Sequence, residues 1–442
     1  MTRNDRLYGA GPLPDPRSAA GRDRDRIIYT SAFQRLSGVT QVITAYEADV
    51  HAIHNRLAHT LEVAQLARRI SQRLLTEQAG ESVAVGGLDA EAAEAAALAH
   101  DLGHPPFGHA GEQELDRILT NEEGCPGGFE GNAQSFRIVT CLARQSENFS
   151  GLDLTRATLN GILKYPWFRA VSGDRHKKWG AYSTEANDFN FARLGEDGSR
   201  RRRSLEAEVM DWADDVAYAV HDASDFYRAG LVPLDRLKRD DEERTRFLTA
   251  AFTRWKDNGK RMTGRFQQEV KDALENALAL FVPTAPFGGS REERAQLRTF
   301  CSTLIHQYVL AINVAKPTDR RRVQIEPKIR TEVDILKELT WQYVILRPSL
   351  VTLQHGYRAV IHGLFREYMK EIKAGNIGLL PRSNREQLVE AEEAAGSENA
   401  LQQARCRIVS DLISGLTESQ ALRLHARLTG RTSGSMFEPL GH

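Results

Sequence analysis

Apolar residues recur three or four positions apart through residues 27–36, through residues 57–75 (Leu57, Leu61, Ala64, Ala67, Ile70, Leu74) and through residues 92–102. Side chains at that spacing share one face of an α-helix, whereas a half-buried strand would need alternation at every second residue. Runs of the second kind are scarce, so the pattern predicts an all-α fold. With 442 residues the chain is long enough to bury a large core.

Glycine and proline mark the joints between helices. Gly86-Gly87 separates two of them, with Asp89 placed to cap the next, and Gly124-Cys125-Pro126-Gly127-Gly128 precedes a helix over 132–144. Between 172 and 204 charged, aromatic and glycine residues take over, ending in the run Arg200 to Arg203, and this reads as a long loop or lid. A helix over 205–229 follows, then amphipathic helices over 235–280 and 291–314, and further helices from 331 onwards. The expected division is a polar N-terminal segment (1–21), a core (22–230) and a helical C-terminal region (231–442) that packs on the core and supplies oligomer contacts.

Charge and cysteine content narrow the setting. Fifty-nine basic residues balance fifty-nine acidic ones, so the overall field gives no reason to expect a nucleic-acid or membrane partner. Cys125, Cys141, Cys301 and Cys406 form no C-x-x-C pair, which excludes a disulfide framework or zinc finger and fits a reduced cytoplasmic environment. Neither a signal-peptide core nor an apolar run of membrane-spanning length is present.

The chemistry concentrates in His100-Asp101-Leu102-Gly103-His104-Pro105-Pro106-Phe107-Gly108-His109. An adjacent imidazole and carboxylate suit a borderline or hard divalent ion, and Gly103 with the two prolines carries His104 and His109 onto a stiff loop. A single His-Asp pair is as well explained as a helix end; three histidines and an aspartate in ten residues are not. His59 lies mid-helix among apolar neighbours, where a satisfied core histidine is the commoner reading. Asp214, Tyr218 and Asp222 share one face of a helix. Runs of aspartate are usually solvated, but Val216, Ala217, Ala219 and Val220 mark this helix as buried, so the carboxylates need cations or donors to receive them.

These residues, with their flanking strings, resemble the HD-domain deoxynucleoside triphosphate triphosphohydrolases, the dGTPase family. The strings are Arg22-Asp23-Arg24-Asp25-Arg26-Ile27-Ile28, Phe33-Gln34-Arg35-Leu36 followed by Gln41-Val42, Arg56-Leu57-Ala58-His59-Thr60-Leu61-Glu62-Val63-Ala64, Pro105-Pro106-Phe107-Gly108-His109-Ala110-Gly111-Glu112, Phe129-Glu130-Gly131-Asn132-Ala133-Gln134 and Lys164-Tyr165-Pro166-Trp167. They cover residues 22–228 in the family's order; the C-terminal half matches in helical character more than in motif.

The resemblance implies an HD-domain helical core and a divalent metal, Mn²⁺ or Mg²⁺, held by His59, His100, Asp101 and Asp214. It implies hydrolysis of a dNTP, dGTP among them, to deoxynucleoside and inorganic triphosphate. His109 would be the general acid, oriented by Glu112, with His104 near the phosphates or a water. Arg56, Lys164 and Tyr165 would meet the triphosphate, with Lys177 and Lys178 as lid contacts. Tyr218 and Asp222 would select the deoxyribose, and Gln41 and Val42 would approach sugar and base. The chain departs from many relatives in having Gly131 where they have a histidine, and His51 and His54 have no assigned part. A homo-oligomer, hexamers being common, and single-stranded DNA as an effector are further implications. The alternatives are an HD-superfamily phosphodiesterase or nucleotidase acting on another nucleotide, or a nucleic-acid-binding protein that uses Arg200 to Arg203 beside a vestigial site.

Overall fold

The computed structural model describes residues 2–9, 15–42, 54–196 and 201–432. Among them twenty α-helices stand against one two-stranded sheet, which is the all-α class that the apolar spacing predicts. None of these helices is long and apolar enough to cross a membrane.

The principal elements are α1 (Ala19–Ile28), α2 (Arg56–Glu77), α3 (Ala90–Ala99), α4 (Gly108–Arg117), α5 (Gly131–Arg137), α6 (Arg156–Ile162) and α7 (Leu205–Arg228), then α8 (Asp241–Asp257), α9 (Gly264–Leu280) and α10 (Arg291–Leu310). The antiparallel pair β1 (Ile312–Val314) and β2 (Val323–Ile325) precedes α11 (Pro327–Thr340), α12 (Pro348–Lys373), α13 (Glu398–Ser414) and α14 (Glu418–Leu428). Polar side chains begin many of them: Asn55 accepts from the Ala58 amide, Asp89 from Glu91 and Ala92 as its position predicts, and Ser204 from Ala207.

Helix α3 is the hub. Its Ala92, Ala93, Ala95, Ala96, Ala97 and Ala99 are fully buried, and these small side chains let α1, α2, α6 and α7 approach it closely. Each larger side chain fully buried around it, such as Val63, Ile70 or Val216, contributes ~1.5–3 kcal/mol. This core crosses position 230 without a break, since Phe247, Leu274 and Leu339 belong to it together with Ile27 and Val63. A second core joins Phe107, Leu115 and Phe129 to Leu364, Phe365, Val409 and Leu424, and so fastens α12, α13 and α14 onto α4.

The structure differs from the spacing in four places. Residues 27–36 are two helices, because Thr30 accepts from the Phe33 amide and starts a new one at Ser31–Arg35. The 235–280 stretch is three, Leu234–Arg239 followed by α8 and α9, because Asp240 caps a fresh start. Helix α10 stops at Leu310 and the chain extends into β1. Of the expected loop, 172–177 is largely exposed and holds the short helix Asp174–Lys177, whereas the part from Trp179 to Ala192 buries Trp179, Tyr182 and Phe191 and is packed; residues 197–200, Arg200 among them, lie outside the described residues.

Candidate active site

Helices α2, α3 and α7 bring His59, His100 and Asp214 together, with one donor atom from each within 4.8 Å of the others. His59 Nε2 is 3.1 Å from Asp214 Oδ1, and His100 Nε2 is 3.8 Å from the same oxygen. His100 Nδ1 lies 2.6 Å from the Ala97 carbonyl, which fixes the proton on that nitrogen; Nε2 is buried and has no hydrogen-bond partner among the described residues. An imidazole anchored through one nitrogen with its other lone pair facing a second imidazole and a carboxylate is the donor arrangement of a divalent metal site. Asp101 stands at its edge: Oδ1 is 3.5 Å from His100 Nε2, while Oδ2 accepts from Arg56 Nη1 at 2.6 Å. Arg56 is thus an ion-pair partner of Asp101 rather than a free cation.

Burial alone would raise the carboxyl of Asp214, yet the Lys164 ammonium and the two histidines hold it well below the carboxylate range. Lys164 Nζ donates to Asp214 Oδ2 at 2.9 Å and lies 3.0 Å from Asp211, so this lysine also has carboxylate partners. Burial, with the nearby Arg56 charge, pushes His104 down to about 3 and leaves it neutral; its Nδ1 is 3.1 Å from Asp101 Oδ1.

The turn after the prolines needs unusual backbone. Phe107 has φ 67° and Gly108 φ 55°, and the left-handed turn costs ~1–2 kcal/mol at a residue with a side chain. Phe107 is held there by stacking on Tyr357 at 4.2 Å and by donating its amide to Glu418 Oε1 at 3.2 Å. Arg35 donates to the carbonyls of Leu102, His104 and Leu416, tying this string to the C-terminal helices. Gly103 lies so close to α5 that a Cβ would come within 2.2 Å of the Gly131 carbonyl oxygen and the Ser135 nitrogen.

From this turn His109 is presented on the first turn of α4, its side chain exposed, with Nδ1 2.8 Å from Glu112 Oε2. Glu112 is buried, and its Oε1 accepts from the Gly131 amide at 3.0 Å and from Lys178 Nζ at 2.9 Å. Lys178 is therefore a partner of carboxylates here, while Lys177 is exposed. His104, His109 and Glu112 also bring donor atoms within 4.8 Å; the Lys178 ammonium beside them opposes a second cation, so the group suits proton transfer.

Tyr218 separates two cavities. One, of about 510 Å³, opens beside Asp214 and is lined by Lys164, Asp215, Arg254, Lys337 and Trp341. The other, of about 80 Å³, lies between Gln41, Val42, His109, Gln354 and Tyr357. Gln41 Oε1 and Asp222 Oδ2 are buried without a partner among the described residues, and burial pushes the Asp222 carboxyl up to about 8. Tyr165 packs edge-on to Trp167 with ring centroids 5.7 Å apart. Arg254, Lys337 and Glu418 were not anticipated; nothing in their local sequence distinguishes them from solvated charges.

The histidine left unassigned at 54 has a structural part. Its Nδ1 is 2.5 Å from Asp225 Oδ2 and its Nε2 3.2 Å from Glu62, which also pairs with His221. His51 lies outside the described residues. In the basic run, Arg203 pairs with Asp211 and Arg202 donates to the carbonyls of Pro317 and Thr318.

Two family models match the chain: the HD domain over residues 56–219 and a phosphohydrolase-associated domain over residues 323–427. The first contains the candidate donors His59, His100 and Asp214 together with Asp101 beside them. Proteins named deoxyguanosinetriphosphate triphosphohydrolase-like align along nearly the whole chain. The one from Streptomyces coelicolor is 36% identical, covering 95% of each chain. That from Corynebacterium efficiens is 33% identical over 94% of this chain and 92% of its own, and that from Brucella anthropi is 33% identical over 95% and 92%.

Proposed function

Because the chain belongs to the HD-domain family of deoxyguanosinetriphosphate triphosphohydrolase-like proteins, we propose that it hydrolyses dNTPs, dGTP among them, to the deoxynucleoside and inorganic triphosphate. In this reading water attacks the α-phosphorus, the bond from phosphorus to the 5′-oxygen breaks, and the leaving oxygen takes up a proton. The observation that carries it is the cluster of His59, His100 and Asp214 linked through Asp101 and His104 to the His109–Glu112 pair, with Tyr218 lining both the cavity beside Asp214 and the one beside His109.

His59, His100, Asp101 and Asp214 would hold Mn²⁺ or Mg²⁺, which when bound polarises a phosphoryl oxygen and lowers the pKa of water. The protein's own groups do the rest. With Nδ1 turned to the ionised Glu112, His109 has Nε2 free to give its proton to the 5′-oxygen, a poor leaving group as an alkoxide. His104, neutral and beside the His109 ring, orients water or phosphate between the two groups. Arg56, Lys164 and Tyr165 face the triphosphate, and the two cations also keep Asp101 and Asp214 ionised. The Tyr218 ring, packed beneath the sugar, leaves no room for a 2′-hydroxyl; Asp222 receives the 3′-hydroxyl, and Gln41 and Val42 border sugar and base. The 231–442 region would complete the phosphate side through Arg254 and Lys337 and supply the contacts of a homo-oligomer, whose size sedimentation would measure.

The test is to incubate the purified protein with each dNTP and Mn²⁺ or Mg²⁺ and identify the phosphorus product. Triphosphate with free deoxynucleoside is expected; pyrophosphate or deoxynucleoside monophosphate would overturn the reading.

A further inference from the structure

Glu112 has more partners than proton donation by a histidine requires. Its Oε2 faces His109 Nδ1, but its Oε1 is gripped by the Gly131 amide at 3.0 Å and the Lys178 ammonium at 2.9 Å. That ammonium also donates to Glu130 Oε1 at 2.9 Å, and Glu130 caps α5, the helix whose first residue supplies the Gly131 amide. The backbone around Lys178 is fixed as well: Trp167 Nε1 donates to its carbonyl at 2.8 Å and the next residue, Trp179, is buried.

Glu112 and Glu130 are both buried, and one ammonium lies between them. The other charged or titratable groups facing Glu112 are His109 on its own helix and the neutral His104 on the preceding loop. Without Lys178 two carboxylates would share a desolvated space, and one would take up a proton or turn away. A protonated or rotated Glu112 no longer anchors His109 Nδ1. Burial raises Glu112, but His109 and Lys178 together hold it well below the carboxylate range, whereas Glu130 is left raised.

We infer that Lys178 is a positioning residue for the proton donor: it keeps the Glu112 carboxylate charged and turned so that His109 presents Nε2 to the leaving group. The 172–182 segment is then part of the catalytic scaffold. Lys178 would act on the acid pair and leave the nucleotide untouched. The inference rests on His109 being the donor.

The experiment compares K178M, K178R and K178M/E130Q with H109N, using dGTP and Mn²⁺ and measuring kcat, KM and bound metal. K178M is expected to lower kcat by about 30-fold or more with KM within about twofold and metal content unchanged. K178R should retain most turnover, because a guanidinium still neutralises both carboxylates. K178M/E130Q should recover about tenfold over K178M, since it removes the like-charge pair. A purely structural lysine would make the double variant worse. The inference is overturned if K178M stays within about twofold of wild type while H109N is inactive, or if the double variant gains nothing. If K178M does not fold, K178M/E130Q decides alone, with turnover within about tenfold of wild type expected and less than about a hundredth overturning the inference. Full turnover by H109N instead overturns the donor reading, and this inference with it.

Discussion

His59 Nε2 lies 3.1 Å from Asp214 Oδ1 although 155 residues separate them along the chain. The contact joins α2 to α7, which pack on one another and on the alanine-rich α3, and Lys164 takes the second oxygen of Asp214. A histidine from one helix, a histidine at the end of the next and an aspartate from a third thus converge only when all three are packed.

Asp214→Ala should cost metal. The substitution removes one donor of the cluster while Lys164 keeps Asp211 as a partner, so the helices should persist. Metal content is expected to fall about tenfold or more at limiting Mn²⁺, with the helical circular dichroism unchanged. A stoichiometric metal complement in this variant would remove Asp214 from the ligand set.

His109→Asn should separate chemistry from binding. The side chain is exposed and holds no core contact, so stability should be near that of wild type. Turnover of dGTP is expected to drop about 10²- to 10⁴-fold while metal and dGTP still bind. Unchanged turnover would mean another group protonates the 5′-oxygen.

Tyr218→Ala should relax sugar selection. Tyr218 borders both cavities, and opening that wall admits a 2′-hydroxyl. The ratio of kcat/KM for GTP over dGTP is expected to rise about tenfold or more. A ratio that stays constant would place the discrimination elsewhere.

Stability should weaken in alkali through His54. Hydrogen bonds that His54 donates to Asp225, then to Glu62, raise it from its ordinary 6.5 to about 10, against the effect of burial. A basic group raised on folding gives stability that is fully present below 6.5 and lost as pH rises through about 10. Thermal melts should therefore fall between those values in the wild type, and fall less steeply in His54→Gln. Parallel slopes would mean that His54 carries no such linkage.

Local pattern made a good part of this molecule readable in advance. Spacing of three and four announces α2, α3 and α7, and Asp89 caps where its position predicts. The buried Ala and Val beside Asp214 and Tyr218 identified that stripe as part of the interior. Spacing failed where an internal cap restarts a helix, as at Thr30 and Asp240, since the apolar period runs on through the break. It also reads 172–204 as a loop or lid throughout, although Trp179 and Tyr182 are buried against Ala133 and Trp167.

Charged partners were the least readable. Arg56, expected to meet the triphosphate, and Lys178, expected as a lid contact, also pair with carboxylates that their local sequence does not announce, Asp101 for the first and Glu112 with Glu130 for the second. Lys337 and Arg254 border the cleft from helices that show no motif. A cation has the same local sequence whether it is solvated or paired, so only the packing of elements distant in sequence reveals its partner.

The sequence by itself determined the helical class and the stiff loop that presents His109, because periodicity, capping and proline restriction act over a few residues; His59, His100 and Asp214 together it offered as donors only through a family resemblance. Only the tertiary structure decided which carboxylate each cation neutralises, which oxygen of Glu112 faces His109, and that Tyr218 stands between two cavities. Those relations depend on distances of a few ångströms between side chains tens to hundreds of residues apart, and electrostatic and hydrogen-bond energies exist only at such distances.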